Sequence, residues 1–224
     1  MARELRDGVW WLRCRGVNAY LLDDDDGLTL IDAGTPFDTI RIEVAIREAG
    51  FRLDDVERVL VTHFDVDHVG SAAKLSTDAP VYVGRDDAPL VTGERRPSPT
   101  GVKGLTQFVT RPFIRTLPTD RVRPVEDGQT IGGFTAHHTP GHTPGHTVFV
   151  HEGRGAAFLG DTVIERGGEL RHTPWFMCDD AARTRRSVRE FESDAPDFAV
   201  AAIGHGTPFL EGGRDKLRDL VAST

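Results

Sequence analysis

The densest group of potential metal ligands lies in the stretch LVTHFDVDHVGS. His63, Asp65 and Asp67 alternate along it, so an extended chain would direct all three side chains to one side. His68 follows Asp67 directly and would point away unless the chain turns there. A helix predicted over residues 69–75 would supply that turn. The spacing therefore predicts one short loop that serves two metal positions with imidazole and carboxylate ligands.

Three further potential ligands each follow a predicted strand. His142 lies in HTPGHTPGH after FTAHH, Asp161 follows AAFLG, and His205 follows FAVAAIG. Glycine lies in or beside each of these turns, and it lets the backbone approach an ion closely. Chemically active groups are commonly carried by loops on a rigid frame. We therefore expect these residues to join the His63 loop in one site.

The elements that must position these residues alternate between strands and helices. Short apolar runs predict three strands in the first 34 residues and a strand directly before His63. Apolar residues at Ile40, Val44 and Ile46 predict an amphipathic helix over 38–50. Later elements are strands at 134–139, 147–151, 156–160 and 198–203, and helices at 180–192 and 211–221. This order predicts two packed sheets with helices outside.

Residues 85–125 fit this pattern less well. GERRPSPTG is rich in turn-forming residues, and the helical stretch LTQFVTRPFIRTL is broken at Pro112. We interpret this segment as an insertion near the mouth of the site, which would serve as a lid or as a dimer contact.

Composition limits the classes of function. The chain has 224 residues, which is enough for one domain with a buried core, and its net charge of −8 argues against a nucleic-acid partner. Cys14 and Cys178 are far apart and predict neither a disulfide framework nor a zinc knuckle. No signal peptide or apolar membrane span is apparent. We expect a cytoplasmic protein that acts on a small molecule, with no membrane partner and with homodimer formation left open.

Five motifs in order resemble the metallo-β-lactamase superfamily of hydrolases. They are LIDAG at 30–34, THFDVDH at 62–68, HTPGHTPGH at 138–146, FLGD at 158–161 and IGHG at 203–206. The resemblance implies an α+β fold, an αββα sandwich of two mixed β-sheets flanked by helices. It implies one domain over residues 1–224, with the site at the edge between the sheets. The TPGHTPGH motif is most similar to glyoxalase II-like members.

The resemblance also assigns ligands by position. The first metal would use His63, residue 65 and His142, and the second would use Asp67, His68 and His205. Asp161 would bridge the two ions, and Asp32 would support the site from behind its ligands. No organic cofactor is implied.

Asp65 departs from the family pattern, since HxDxDH replaces HxHxDH. If Asp65 is a ligand, each of two divalent ions has two imidazoles and two carboxylates. Such oxygen-rich ligation moves the preference toward iron or manganese, although zinc remains allowed and is the metal we expect overall. If the short Asp65 side chain reaches the metal only through water, the first position is weak, and a site of Asp67, His68, Asp161 and His205 remains.

The leading functional hypothesis is metal-dependent hydrolysis of an ester, thioester, lactone or phosphoester. Asp67 or Asp161 would steer the proton, so these two are the candidate catalytic residues. One alternative is a non-haem iron oxidoreductase such as a persulfide dioxygenase, since His63, His142 and Asp161 form a two-histidine, one-carboxylate set. The other is a non-catalytic relative with a degenerate metal site.

Several neighbouring residues have less certain roles. We expect His146 to support the site rather than to bind metal. His172 either lines the substrate pocket or is structural. Trp175, Phe176 and Met177 form either an apolar pocket wall or part of the core.

Overall fold

A computed structural model describes residues 2–223. The N-terminal half of the chain builds a sheet of seven strands. In spatial order the strands are β1 (Ala2–Arg6), β2 (Val9–Arg13), β3 (Asn18–Asp24), β4 (Gly27–Ile31), β5 (Val56–Val61), β6 (Val81–Gly84) and β7 (Val122–Val125). Pairing is antiparallel from β1 to β4 and parallel from β4 to β7. The parallel half of this sheet carries the HFDVDH loop, which leaves the end of β5.

The C-terminal half builds a second sheet and a separate hairpin. The strands are β8 (Thr130–Ile131), β9 (Phe134–His138), β10 (Thr147–His151), β11 (Ala156–Gly160), β12 (Val163–Arg166), β13 (Glu169–His172) and β14 (Val200–Ile203). The five-stranded sheet has the order β14-β11-β10-β9-β8, whereas β12 and β13 pair only with each other. β14 lies parallel to β11, so the chain leaves both strands at the same edge.

Helices flank the two sheets. They are α1 (Thr39–Glu48), α2 (Ala88–Thr92), α3 (Gly101–Thr110), α4 (Ala181–Asp194) and α5 (Gly213–Ala222). The predicted α+β class and its αββα sandwich of two mixed sheets are confirmed. Among residues 2–223, no helix is both long enough and apolar enough to cross a membrane.

Strand alternation divides the core into three layers. On β3, Tyr20 and Leu22 pack between the sheets, while Leu21 faces the α1 side. On β11, Phe158 packs between the sheets, with its ring centroid 5.5 Å from that of Tyr20. Leu159 of the same strand packs toward α4 and α5. Both sheets are therefore apolar on both faces, and polar groups are concentrated at their edge.

The predicted helix at 69–75 is wrong, because this segment forms successive turns. Two of its backbone donors bind another loop rather than the preceding turn, which interrupts the helical pattern: the Gly70 amide donates to Gly34 O (3.0 Å) and the Ser71 amide to Ala33 O (3.2 Å). A Cβ on Gly70 would overlap Pro36, so only glycine permits this approach. The turn after Asp67 is made instead by the His68 amide, which donates to Asp65 O (3.0 Å).

Other local predictions need smaller corrections. α1 buries Ile42, Ala45 and Ile46, and Ile40 is 75% exposed, so the predicted apolar stripe was misplaced by part of a turn. β1 was missed, as was the β12–β13 hairpin in the loop after Asp161. Residues 85–125 contain α2, α3 and also β7, which pairs in parallel with β6, so the last four residues of the predicted insertion belong to the sheet. Their use as a lid or dimer contact stays a prediction.

Candidate metal centre

Strand ends from both sheets meet at one edge of the sandwich. His63 and His68 follow β5, and His142 lies between β9 and β10. Asp161 follows β11 and His205 follows β14. The three imidazoles of His63, His68 and His142 are fully buried. The structure thus brings together side chains that are up to 142 positions apart in sequence.

Two groups of potential ligands lie side by side at this edge. One ligand atom from each of His63, His142 and Asp161 lies within 4.8 Å of the others. We call this group the first cluster. Asp65 lies beside it, with Oδ2 3.0 Å from His142 Nε2 and 3.3 Å from His63 Nε2.

The second cluster consists of Asp67, His68 and His205, whose ligand atoms also lie within 4.8 Å of one another. Asp161 reaches it too: its Oδ2 is 3.2 Å from His205 Nε2, and its Oδ1 is 3.4 Å from His68 Nε2. Asp161 Oδ2 is also 3.8 Å from His142 Nε2. One carboxylate therefore lies between the two clusters, where the sequence placed the bridging ligand. All seven predicted ligands lie at this site.

The imidazoles are oriented to present Nε2 to the centre. His68 Nδ1 donates to Asp32 Oδ2 (2.8 Å), and His205 Nδ1 donates to Gly16 O (2.8 Å). His63 Nδ1 lies 3.0 Å from the Thr62 hydroxyl, which itself donates to Asp32. Such partners fix the ring and the tautomer of metal-binding histidines.

This donor set fits a divalent ion. The Nε2 atoms of His63, His68 and His205 and Oδ1 of Asp161 are buried and have no hydrogen-bond partner. Buried polar atoms without a partner are costly, and here they converge on shared points. Nitrogen and oxygen donors of this kind suit zinc, iron or manganese. Gly204 makes room for them, since any Cβ there would overlap Asp161.

Asp32 supports ligands of both clusters. Its Oδ1 accepts the Thr62 amide (2.8 Å), and its Oδ2 accepts from His68 and from the Thr62 hydroxyl. It is the non-glycine residue with a positive φ, 58°, among residues 2–223, a conformation that Asp and Asn tolerate best. The strained turn directs the carboxylate behind His68.

Asp87 is a supporting residue that the sequence reading missed. It is fully buried on the loop after β6, and it accepts three hydrogen bonds. These come from the Phe64 amide (2.8 Å), the Thr143 hydroxyl (2.6 Å) and the Gly145 amide (2.9 Å). Asp87 therefore joins the His63 loop to the His142 loop. No local signal marks Asp87, because it lies three residues after β6 and its partners come from other loops.

His146 and His172 lie outside both clusters. His146 Nδ1 is 2.8 Å from the Thr139 hydroxyl, and its Nε2 accepts the Asp161 amide (3.1 Å). His146 thus holds the backbone of Asp161 in place. His172 is half-buried, away from the cavity described below.

Two residues of α3 also enter the site and were not anticipated. The Lys103 ammonium contacts Asp65 Oδ2 and donates to His142 Nε2 (2.7 Å). Gln107 donates to Asp65 Oδ1 (2.8 Å) and to Phe64 O (2.8 Å). No sequence signal marks Lys103, because its partner Asp65 is 38 positions away.

Burial and neighbouring charges shift the pKa values of the site residues in opposite directions. Burial and the neighbouring His68 and His142 lower the pKa of His63 to about 4. Burial would lower the pKa of His205 as well, but Asp161 outweighs it and raises that pKa to about 10. Burial would raise the pKa of Asp65, yet Lys103 and the two histidines hold it well below its usual range.

A cavity of about 480 Å³ opens beside both clusters. Asp65, Asp67 and Asp161 lie at its floor, and its wall is mostly apolar. The wall includes Phe176 and Met177, as one of the two interpretations of that segment predicted, whereas Trp175 is 68% exposed and lies outside the cavity and the core.

Replacing Asp32 with Asn tests its role in holding His68. An amide has one acceptor oxygen and cannot serve both Thr62 and His68, while its side chain still tolerates the positive φ. We expect Zn²⁺ affinity to fall by about 10–100-fold, as measured by competition with a chelating dye. Asp120→Asn, an exposed carboxylate change, is the control. Unchanged affinity in folded Asp32→Asn protein would contradict this role.

Replacing Asp87 with Ala tests the link between the loops. The change leaves three buried donors without an acceptor, so the free energy of unfolding should fall by about 3 kcal/mol. Urea denaturation of the metal-free protein measures this loss without a contribution from metal binding. Asp86→Ala, at the exposed neighbouring position, should stay within about 0.5 kcal/mol of the wild type.

Metal binding should also depend on pH. In the metal-free protein the raised pKa of His205 keeps its imidazole protonated at neutral pH, and an ion must displace that proton. Apparent Zn²⁺ affinity should therefore rise by about tenfold per pH unit for each proton released, between about pH 6 and about pH 8. Titration in weak buffer with a pH indicator measures the release. Binding without proton release would show that His205 is not a ligand.

The chain is similar to known proteins over most of its length. The family model described as the metallo-beta-lactamase superfamily matches residues 12–205. The uncharacterized protein YobT of Bacillus subtilis (strain 168) is 30% identical over 220 residues, covering 92% of this chain and 89% of YobT. The coenzyme F420H(2) oxidase of Methanothermobacter marburgensis is 30% identical over 103 residues, covering 36% of this chain and 25% of that protein.

Solved structures share the fold as well. The crystal structure of TTHA1623 in a di-iron-bound form matches with a TM-score of 0.66 and 28% sequence identity, covering 90% of this chain and 93% of that one. The predicted superfamily is confirmed, while the glyoxalase II-like branch stays a prediction. The chain belongs to the metallo-β-lactamase superfamily.

Proposed function

We propose that this protein is a metal-dependent hydrolase that acts on a small ester-type substrate. The observation that carries the proposal is the convergence of buried, unpartnered imidazole and carboxylate atoms at the floor of an open cavity. The family, named after hydrolases, supports the same class of reaction.

The second cluster is well built to hold an ion. Asp67, His68 and His205 would bind it together with Asp161, giving two imidazoles and two carboxylates. When bound, a divalent ion supplies Lewis acidity, which makes hydroxide available near neutral pH and polarises the substrate oxygen. Zinc suits this donor set, and iron or manganese is compatible with its oxygen-rich character.

The chain's own residues supply the proton transfer. Asp67 is partly exposed at the cavity floor, whereas Asp161 is 2% exposed and lies between the clusters. Asp67 can therefore meet the attacking water and accept its proton, and Asp161 fixes the ligands around it. No serine or cysteine nucleophile is required.

The cavity wall limits the substrate. Val102, Phe176 and Met177 provide apolar surface on one side, and Arg15 lies at the rim with its side chain 63% exposed. Such a wall favours an ester, thioester or lactone with an apolar acyl group over a highly charged phosphodiester. The substrate class proposed is accordingly a small, mainly apolar carboxylic ester, thioester or lactone.

A non-haem iron oxidoreductase is the second candidate. His63, His142 and Asp161 form a compact two-histidine, one-carboxylate cluster, the pattern of non-haem iron sites. The di-iron form of TTHA1623 and the similarity to the F420H(2) oxidase support the same candidate. A non-catalytic relative is the third hypothesis. A cytoplasmic location and homodimer formation stay predictions.

Chelation followed by metal addition tests the hydrolase. Metal-free protein should lose at least about 100-fold of its activity on p-nitrophenyl esters, acyl thioesters or lactones, and Zn²⁺ or Mn²⁺ should restore it. Asp67→Asn should remain inactive after metal addition, whereas Asp120→Asn should recover fully.

Three outcomes separate the candidates. Full activity without metal would overturn the hydrolase proposal. Oxygen consumption with a persulfide, seen only in iron-loaded protein, would favour the oxidoreductase instead. Failure to bind any divalent ion would favour the non-catalytic relative.

A further inference from the structure

Helix α3 has an inverted amphipathic pattern. It buries Lys103, Gly104 and Gln107 against the site, and Lys103 is only 6% exposed. Its apolar residues Leu105 and Val109 face outward and are 52% and 60% exposed. A lysine is almost never buried to this degree without a charged partner. The packing of α3 therefore depends on the partners of its buried polar side chains.

That polar side meets the first cluster. The Lys103 ammonium contacts Asp65 Oδ2 and donates a hydrogen bond to His142 Nε2 (2.7 Å). His63 Nε2 lies 3.3 Å from the same Asp65 oxygen. Gln107, one turn along α3, holds the other oxygen of Asp65 at 2.8 Å. The lysine nitrogen thus lies among the atoms that would bind the first of two ions.

An ammonium and a divalent ion cannot share this space. A neutral imidazole has one lone pair, and His142 gives the lone pair of Nε2 to Lys103. Two positive groups at such short range in a buried site would repel strongly. The second cluster has no such competitor, since no lysine or arginine within residues 2–223 forms an ion pair with Asp67 or Asp161.

We propose that the Lys103 ammonium is the resident cation of the first metal position, so that the centre binds a single divalent ion at Asp67, His68 and His205 with Asp161. This inference rests on the proposed function in one respect, that the second cluster holds metal. It gives Asp65 a definite purpose. Aspartate supplies the negative charge that a buried lysine needs, which histidine at this position would not.

Metal stoichiometry tests the inference directly. Metal-free protein is incubated with excess Zn²⁺, desalted and analysed for zinc per chain by mass spectrometry. The wild type should hold one ion. Lys103→Met keeps the aliphatic length but removes the charge, and it should hold two, because Asp65, His63 and His142 become free to bind. Lys216→Met on α5, away from the site, should still hold one.

A second pair of variants covers the case in which Lys103→Met fails to fold. His205→Ala should lose the bound ion, whereas His63→Ala should keep it, because His63 belongs only to the first cluster. Co²⁺ absorption spectra of both variants show whether the coordination of the remaining ion has changed. The spectrum of His63→Ala should match that of the wild type.

Each opposite result would overturn the inference. These results are two ions in the wild type, loss of the ion in His63→Ala, or a single ion in folded Lys103→Met. Failure of the hydrolase proposal would be a different result, namely that the metal-free protein keeps its activity. Hydrolysis with two ions per chain would leave the proposed function standing and remove only the role of Lys103.

Discussion

Buried charge at the sheet edge is the constraint on which the rest of this structure depends. Asp32 and Asp161 are 2% exposed, and Asp65 has 14% of its side chain exposed. Carboxylates taken out of water are stable only when hydrogen bonds and opposite charges compensate them. Several neighbouring segments contribute to this compensation: the turn after β5 through Thr62, the loops through their histidines, and α3 through Lys103.

Hydrogen bonds to buried polar side chains also hold the two sheets together. Asp87 ties the loop after β5 to the loop before β10. Asn18 on β3 donates to Ile203 O and Gly206 O (both 2.9 Å), which holds the turn that carries His205. These hydrogen bonds cross between sheets at the point where the ligands converge. The apolar layer between the sheets sets their separation, and the buried polar groups set the register of the site.

The predictable part of this molecule was what the sequence encodes locally. Strand ends followed by histidine, aspartate and glycine indicated four candidate ligands, because strand periodicity and turn chemistry act over a few residues. The assignment of the full predicted set came from the resemblance to the superfamily. The helix predicted at 69–75 failed for a non-local reason: the amides of Gly70 and Ser71 bind the loop at residues 33–34. Lys103 and Asp87 were missed for the same reason. Each looks like an ordinary surface charge until tertiary contacts place it beside a partner.

Asp65 and Lys103 depend on each other, since each supplies the charge that the other needs. A lysine here without Asp65 would bury an uncompensated charge, and Asp65 without Lys103 would act as one more ligand. Together they form a neutral pair, and Gln107 holds the remaining carboxylate oxygen.

The pair also bears on the reaction class. Iron-based oxygen chemistry at the first cluster requires open positions at His63, His142 and Asp161. Lys103 contacts His142 of this set and the neighbouring Asp65 carboxylate. Hydrolysis needs only one Lewis-acidic ion with an accessible water, which the second cluster can provide at the cavity floor. The position of this ammonium is therefore one more argument for the proposed hydrolysis over the redox alternative.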